Sequence, residues 1–199
     1  MKRHIALTGY RGCGKTSVGR KLAKRLALPC LDTDLLIESA AGMAVADIFR
    51  LRGEAGFREL EAVALRDALA GPPAVIATGG GIILREENRA RLREDCLVIW
   101  LNAAVETVFA RIHGDKGRPP LTGLDPLDEI RTLMAAREPL YAGLADLALD
   151  TGRQPFEAVV EAIAGLVQKK TAFGEFSGPP ACVDGVADCL HTGGGADET

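Results

Sequence analysis

Between Ile5 and Thr16 the chain reads Ile-Ala-Leu-Thr-Gly-Tyr-Arg-Gly-Cys-Gly-Lys-Thr, and no other stretch leaves the fold so little freedom. Apolar residues run into Gly9-x-x-x-x-Gly14-Lys15-Thr16, and an amphipathic run with Val18, Leu22, Ala23 and Leu26 follows. This is the spacing of a phosphate-binding P-loop between a buried strand and a helix. Backbone N–H groups must wrap a phosphate chain, so side chains have to stay out of the way. Gly9, Gly12 and Gly14 leave that room and permit positive φ. A helix opening at Lys15 aims its unpaired N–H groups and positive dipole end at the anion. Lys15 can reach the β- and γ-phosphates, and the Thr16 hydroxyl can ligate Mg²⁺. The competing reading is a glycine-rich turn that binds nothing, and the strand–helix context weighs against it. A nucleoside triphosphate is therefore expected, while the acceptor of its phosphate is left open.

The 199 residues suffice for one well-buried domain. A formal charge of −3 without a basic block argues against nucleic acid as a partner. No apolar run has the length of a bilayer span, and the chain enters a strand almost at once, so neither a membrane partner nor a signal peptide is expected. Five scattered cysteines make no disulfide framework, which points to a reducing cytoplasm. No His/Cys spacing suggests a metal cluster.

Strands are expected at His4–Thr8, Leu28–Leu31, Ala74–Ala77, Cys96–Leu101 and Leu147–Leu149. Helices are expected at Gly14–Leu26, Asp34–Ala41, Val45–Arg50, Glu54–Leu69, Arg85–Glu94, Ala104–Ile112, Pro126–Tyr141 and Pro155–Lys169. Five alternations of this kind mean an α/β fold, with a parallel sheet covered by helices on both faces. Ligands of such sheets sit beyond the carboxyl ends of the strands, where Gly9–Thr16, Asp32, Asp34 and Gly79–Gly81 fall. The kinase-like domain is expected to span 1–170. Within it, about 113–125 forms a loop rich in Gly, Pro and charge, a candidate lid. From Thr171 to Thr199 the Gly-, Pro- and Ala-rich composition reads as a disordered tail.

Asp32-Thr33-Asp34 leaves a strand and sets two carboxylates two residues apart at its end. One carboxylate is placed for Mg²⁺ and its waters, the other for an acceptor hydroxyl. The same residues also suit a helix cap, and the two readings compete. Arg58 and Glu61 share a helix face. They form either a solvated surface pair of little consequence or a fork held for a substrate carboxylate. Gly79–Gly81 is either a plain turn or a place of close backbone approach to a ligand. Arg118 is a candidate to neutralise charge over the phosphates. Arg58 and Arg137 together suggest an anionic acceptor.

Six motifs in order carry a resemblance to the shikimate kinase family over about Arg3 to Leu166. They are Gly9–Thr16; Asp32-Thr33-Asp34 with Ile37-Glu38; Phe49-x-x-x-Gly53-Glu54-x-x-Phe57-Arg58-x-x-Glu61; Ala77-Thr78-Gly79-Gly80-Gly81; Arg118-Pro119; and Arg137-Glu138-Pro139-Leu140-Tyr141. The resemblance implies a five-stranded parallel sheet of order 2-3-1-4-5. It implies transfer of the ATP γ-phosphoryl to the 3-hydroxyl of shikimate, on the way to chorismate and the aromatic amino acids, by a cytoplasmic monomer. Carried over, it assigns Gly12, Cys13, Gly14, Lys15, Thr16 and Ser17 to ATP, with Arg111 stacking on adenine and Arg153-Gln154 near the base. Thr16 and Asp32 resemble the Mg²⁺ ligands. Asp34, Arg58, Gly79, Gly80, Gly81 and Arg137 resemble the shikimate clamp. Lys15, Asp34 and Arg118 resemble the catalytic set. Pro120 departs from the family's usual Arg-Pro-Leu in the lid. A kinase for gluconate or a nucleoside monophosphate, or a nucleotide-binding module without turnover, are the rival readings.

Overall fold

The computed structural model describes residues 2–113 and 124–176. In chain order the strands are β1 His4–Thr8, β2 Cys30–Asp32, β3 Val75–Ala77, β4 Cys96–Asn102 and β5 Leu147–Asp150. The helices are α1 Lys15–Leu26, α2 Thr33–Ala41, α3 Val45–Ala70, α4 Glu86–Asp95, α5 Val105–Ile112, α6 Pro126–Ala142 and α7 Phe156–Ala172. All strand pairings are parallel, and the order across the sheet is β2-β3-β1-β4-β5.

The strands read as unbroken apolar runs because both sheet faces are covered. Period-two alternation divides them cleanly. Ile5 and Leu7 of β1, Val75 of β3 and Leu97, Ile99 and Leu101 of β4 join a core with α1, α5 and α7. Ala6, Ile76 and Val98 face a second core with the end of α3, Leu92 of α4 and Tyr141 of α6. A third, smaller cluster of Ile37, Val45, Ile48 and Phe57 fastens α2 to α3. Gly53 breaks α3 with φ 67°, so two helices expected from the sequence join across a kink.

Three boundaries depart from expectation by more than one residue. β2 begins at Cys30, not Leu28, because Ala27 turns left-handed and the Leu28 N–H closes α1 on the Ala23 carbonyl. The chain also stays packed past residue 170. α7 continues to Ala172, and Phe176 bridges back beside Lys2 and is buried in the first core. The expected tail therefore loses its first six residues to the domain, while 177–199 lie outside the described residues. Of the expected lid, 114–123 also lie outside them, Arg118 and Pro120 included.

His4 opens β1 inside the protein. Its Nε2 lies 3.2 Å from the Leu69 carbonyl, and its Nδ1 is buried without a partner among the described residues. Burial lowers its pKa from the ordinary 6.5, partly opposed by the bond to Leu69. A histidine held neutral in the fold binds fewer protons than the unfolded chain does. Stability is thus fully present above 6.5 and is lost as pH falls below it. Thermal midpoints measured from neutral to mildly acidic pH should fall in that window. His4→Leu should be less stable at neutral pH yet show a flatter decline.

Candidate active site

The carboxyl ends of β1, β2, β3 and β5 open onto one cleft of about 770 Å³, which brings together Gly12, Gly14, Lys15, Thr16, Ser17, Asp32, Asp34, Gly80, Arg111 and Gln154. Its floor is the glycine loop. Gly9, at φ 135°, passes so close to β4 that a Cβ would fall 2.1 Å from the Leu101 carbonyl oxygen. Gly14, at φ 88°, leads into α1, which has no side-chain cap. Its first N–H groups are thereby left for an anion. Lys15 is nearly buried, and its Nζ donates to the Tyr10 carbonyl at 2.8 Å. Cys13 does not line this cleft. It is buried and borders a separate cavity with Trp100 and Met134, and burial pushes the thiol pKa up. A low-pKa thiolate is what makes a cysteine reactive, so this one is chemically quiet.

Asp32 caps α2 and also reaches the start of α1. Its Oδ1 accepts the Asp34 N–H at 3.0 Å, capping α2, and its Oδ2 accepts the Thr16 hydroxyl at 2.8 Å. The result is a hydroxyl and a carboxylate side by side at the mouth of the P-loop. Mg²⁺ keeps most of its waters and takes only one or two hard oxygens from a protein, so this pair fits it. No cluster of three or more metal-binding side chains occurs among the described residues.

Asp34 lies in the first turn of α2 and faces the three-glycine turn. That turn has a steric cause. A Cβ on Gly79 would sit 2.5 Å from Glu61 Oε1 and 2.9 Å from Asp34 Oδ1, and one on Gly81 would sit 2.0 Å from Arg58 Nη1. The Gly79 N–H donates to the buried Thr33 hydroxyl at 2.8 Å. Arg58 is no solvated surface residue. It is 8% exposed and Glu61 0%, with Nη1 donating to Glu61 at 2.9 Å and Nη2 to Glu54 at 2.8 Å. Burial alone would lower the guanidinium pKa, but Glu61 and Glu54 outweigh it and the net shift is upward. Arg137, also buried, donates to the Gly80 carbonyl at 3.3 Å and lies over the Tyr10 ring.

At the opposite end of the cleft Arg111 donates to the Gly12 carbonyl at 3.1 Å and to the Thr151 carbonyl at 2.8 Å. Gln154 lines the cleft, whereas the Arg153 side chain is 89% exposed and leans toward Asp150. The sequence reading gave Thr151 no role. Its hydroxyl lies within bonding distance of the Cys13 and Asn102 carbonyls and of Arg111, joining β4, β5 and the P-loop. Its place just after a strand end was the available signal. Thr33 and Tyr141 were quoted only as parts of motifs.

The arrangement offers an uncapped helix start for a polyanion and, beside it, two buried arginines, glycine backbone and a carboxylate. The comparisons with known proteins point to one family. A family model described as "Shikimate kinase" matches residues 11–168. A shikimate kinase from Symbiobacterium thermophilum is 48% identical over 169 residues, covering 84% of this chain and 97% of that protein. One from Bordetella pertussis is 44% identical over 164 residues, covering 82% and 78%. Among solved structures, a shikimate kinase from Acinetobacter baumannii in complex with shikimate superposes with TM-score 0.81 at 35% identity, covering 85% of this chain and 95% of that one.

In the Gly81→Ala variant the new methyl group must drive Arg58 from its seat and pull the guanidinium away from the buried Glu61. Unfolding measurements should show a loss of about 3 kcal/mol. Titration with ATP should give an affinity close to that of the unaltered protein, because the P-loop is untouched.

Proposed function

The chain belongs to the shikimate kinase family, and from that premise we propose how its residues perform the reaction. It phosphorylates the 3-hydroxyl of shikimate at the expense of ATP, a step in aromatic amino acid biosynthesis. The observation that carries the residue assignment is the adjacency of the glycine loop, Asp34 and the buried Arg58 seat at one sheet edge.

In our reading the backbone of Gly12, Cys13, Gly14 and Ser17 holds the ATP phosphates, with Lys15 leaving the Tyr10 carbonyl for the β- and γ-phosphates. Arg111 lies under the adenine, and Gln154 with the Arg153 backbone borders the base. Thr16 and Asp32 hold Mg²⁺, which when bound screens the phosphate charge. Shikimate presents its carboxylate to Arg58 and Arg137 and its ring to the Gly79–Gly81 backbone. Asp34 accepts from the acceptor hydroxyl, orients it in line with the γ-phosphorus and takes its proton. Arg118, which lies outside the described residues, neutralises transferring charge. The protein's contribution is positioning and electrostatics, since phosphoryl transfer needs little covalent help.

All of these groups come from one chain, so a monomer suffices. No described helix is long and apolar enough to cross a membrane, and Cys13, Cys30 and Cys96 are free thiols, consistent with a cytoplasmic enzyme.

Asp34→Asn should lower kcat by about 10²-fold or more while ATP still binds. Steady-state kinetics showing near-normal turnover would remove Asp34 from this role. Arg58→Ala should raise the KM for shikimate far more than the KM for ATP. An equal rise in both would take Arg58 out of the acceptor clamp.

A further inference from the structure

Arg137 and Tyr141 stand four residues apart on α6, which puts them on one helix face. Both reach the same atom. The Tyr141 hydroxyl and Arg137 Nη1 each donate to the carbonyl oxygen of Gly80, the middle glycine of the turn. A trans peptide sets its C=O and N–H in opposite directions. Drawing the Gly80 oxygen toward α6 therefore turns the Gly81 N–H away from α6. A glycine-rich turn has several peptide orientations of similar energy, so it needs outside partners to select one.

Tyr141 is well placed to make that selection. It is 2% exposed, and its ring stacks on Trp100 with centroids 5.9 Å apart and planes 14° apart. The stack fixes the ring, leaving the hydroxyl to point at Gly80. Burial raises the phenol pKa far above its ordinary value, with Arg137 acting in the opposite sense. The hydroxyl therefore remains a donor. On the other side of the turn, Thr33 holds the Gly79 N–H. Consecutive glycines are thus gripped from α2 and from α6.

We propose that Tyr141 is a positioning residue for the acceptor, acting through the Gly80 carbonyl to set the peptide between Gly80 and Gly81 against which shikimate binds. The inference rests on the shikimate kinase reading above. It adds a residue to which that reading assigns no role.

Tyr141→Phe keeps the stack and the buried volume and deletes one donor. The KM for shikimate, and its dissociation constant measured by calorimetry without nucleotide, should rise about tenfold, with the KM for ATP within about twofold of wild type. Trp100→Phe keeps the hydroxyl and leaves an aromatic ring to hold the Tyr141 ring, so it should lower the thermal midpoint through lost buried area with the shikimate KM within about twofold of wild type. A merely structural Tyr141 would lower the midpoint without splitting the two KM values. If Tyr141→Phe leaves the shikimate KM unchanged, or raises both KM values together, while wild type turns shikimate over, this inference falls alone. If wild type shows no shikimate-dependent turnover, the functional reading falls, and this inference with it.

Discussion

A guanidinium enclosed by protein needs its countercharge enclosed with it, and the pairing of Arg58 with Glu61 meets that need. Removing one member of such a pair costs about 3–5 kcal/mol, because the other is left charged in a poor solvent. Much of the acceptor side follows from this requirement. Glu61 has no exposure at all and sits on the inner face of α3. The helix must be aimed so that Arg58 and Glu61 both reach the sheet edge, and the kink at Gly53 falls just before them. The turn after β3 must then be glycine, since side chains at Gly79 or Gly81 would occupy the space of the paired groups.

The nucleotide side is built on a different economy. It depends on backbone amides and on a helix start without a side-chain cap. Asp32 joins the two halves by capping α2 with one oxygen and reaching Thr16 of α1 with the other. Arg111 and Thr151 close the opposite end by tying the P-loop to β5. The parallel sheet supplies the common frame, with β1 central and its neighbours delivering loops to the same edge.

Much of this was legible in the residues because local pattern and long-range order agreed. The strand–glycine–lysine sequence of the P-loop and the unbroken apolar strand at Cys96 each admit few structures. The strand order came from family resemblance, since alternation alone does not say which strands are neighbours. Arg58 shows where local reading stops. Its spacing to Glu61 fits a solvated surface pair equally well, and only tertiary packing buries it. Asp32-Thr33-Asp34 was weighed as a metal and acceptor pair against a helix cap, yet Asp32 caps α2 with one oxygen while its other oxygen meets Thr16. Phe176 was assigned to a tail because glycines surround it, and no periodicity reveals that one aromatic returns to the core. Tyr141 and Thr151 act on backbone carbonyls, and such partners leave no trace in sequence spacing.

The central claim is that this one sheet edge brings ATP together with a hydroxy-acid gripped by arginines. Coupled ADP release, recorded with shikimate, with gluconate and with no acceptor, tests it most directly. The account predicts rapid release with shikimate, traces without an acceptor and little with gluconate, and a product carrying phosphate on the 3-hydroxyl. Release that is indifferent to shikimate, or faster with gluconate, would contradict it.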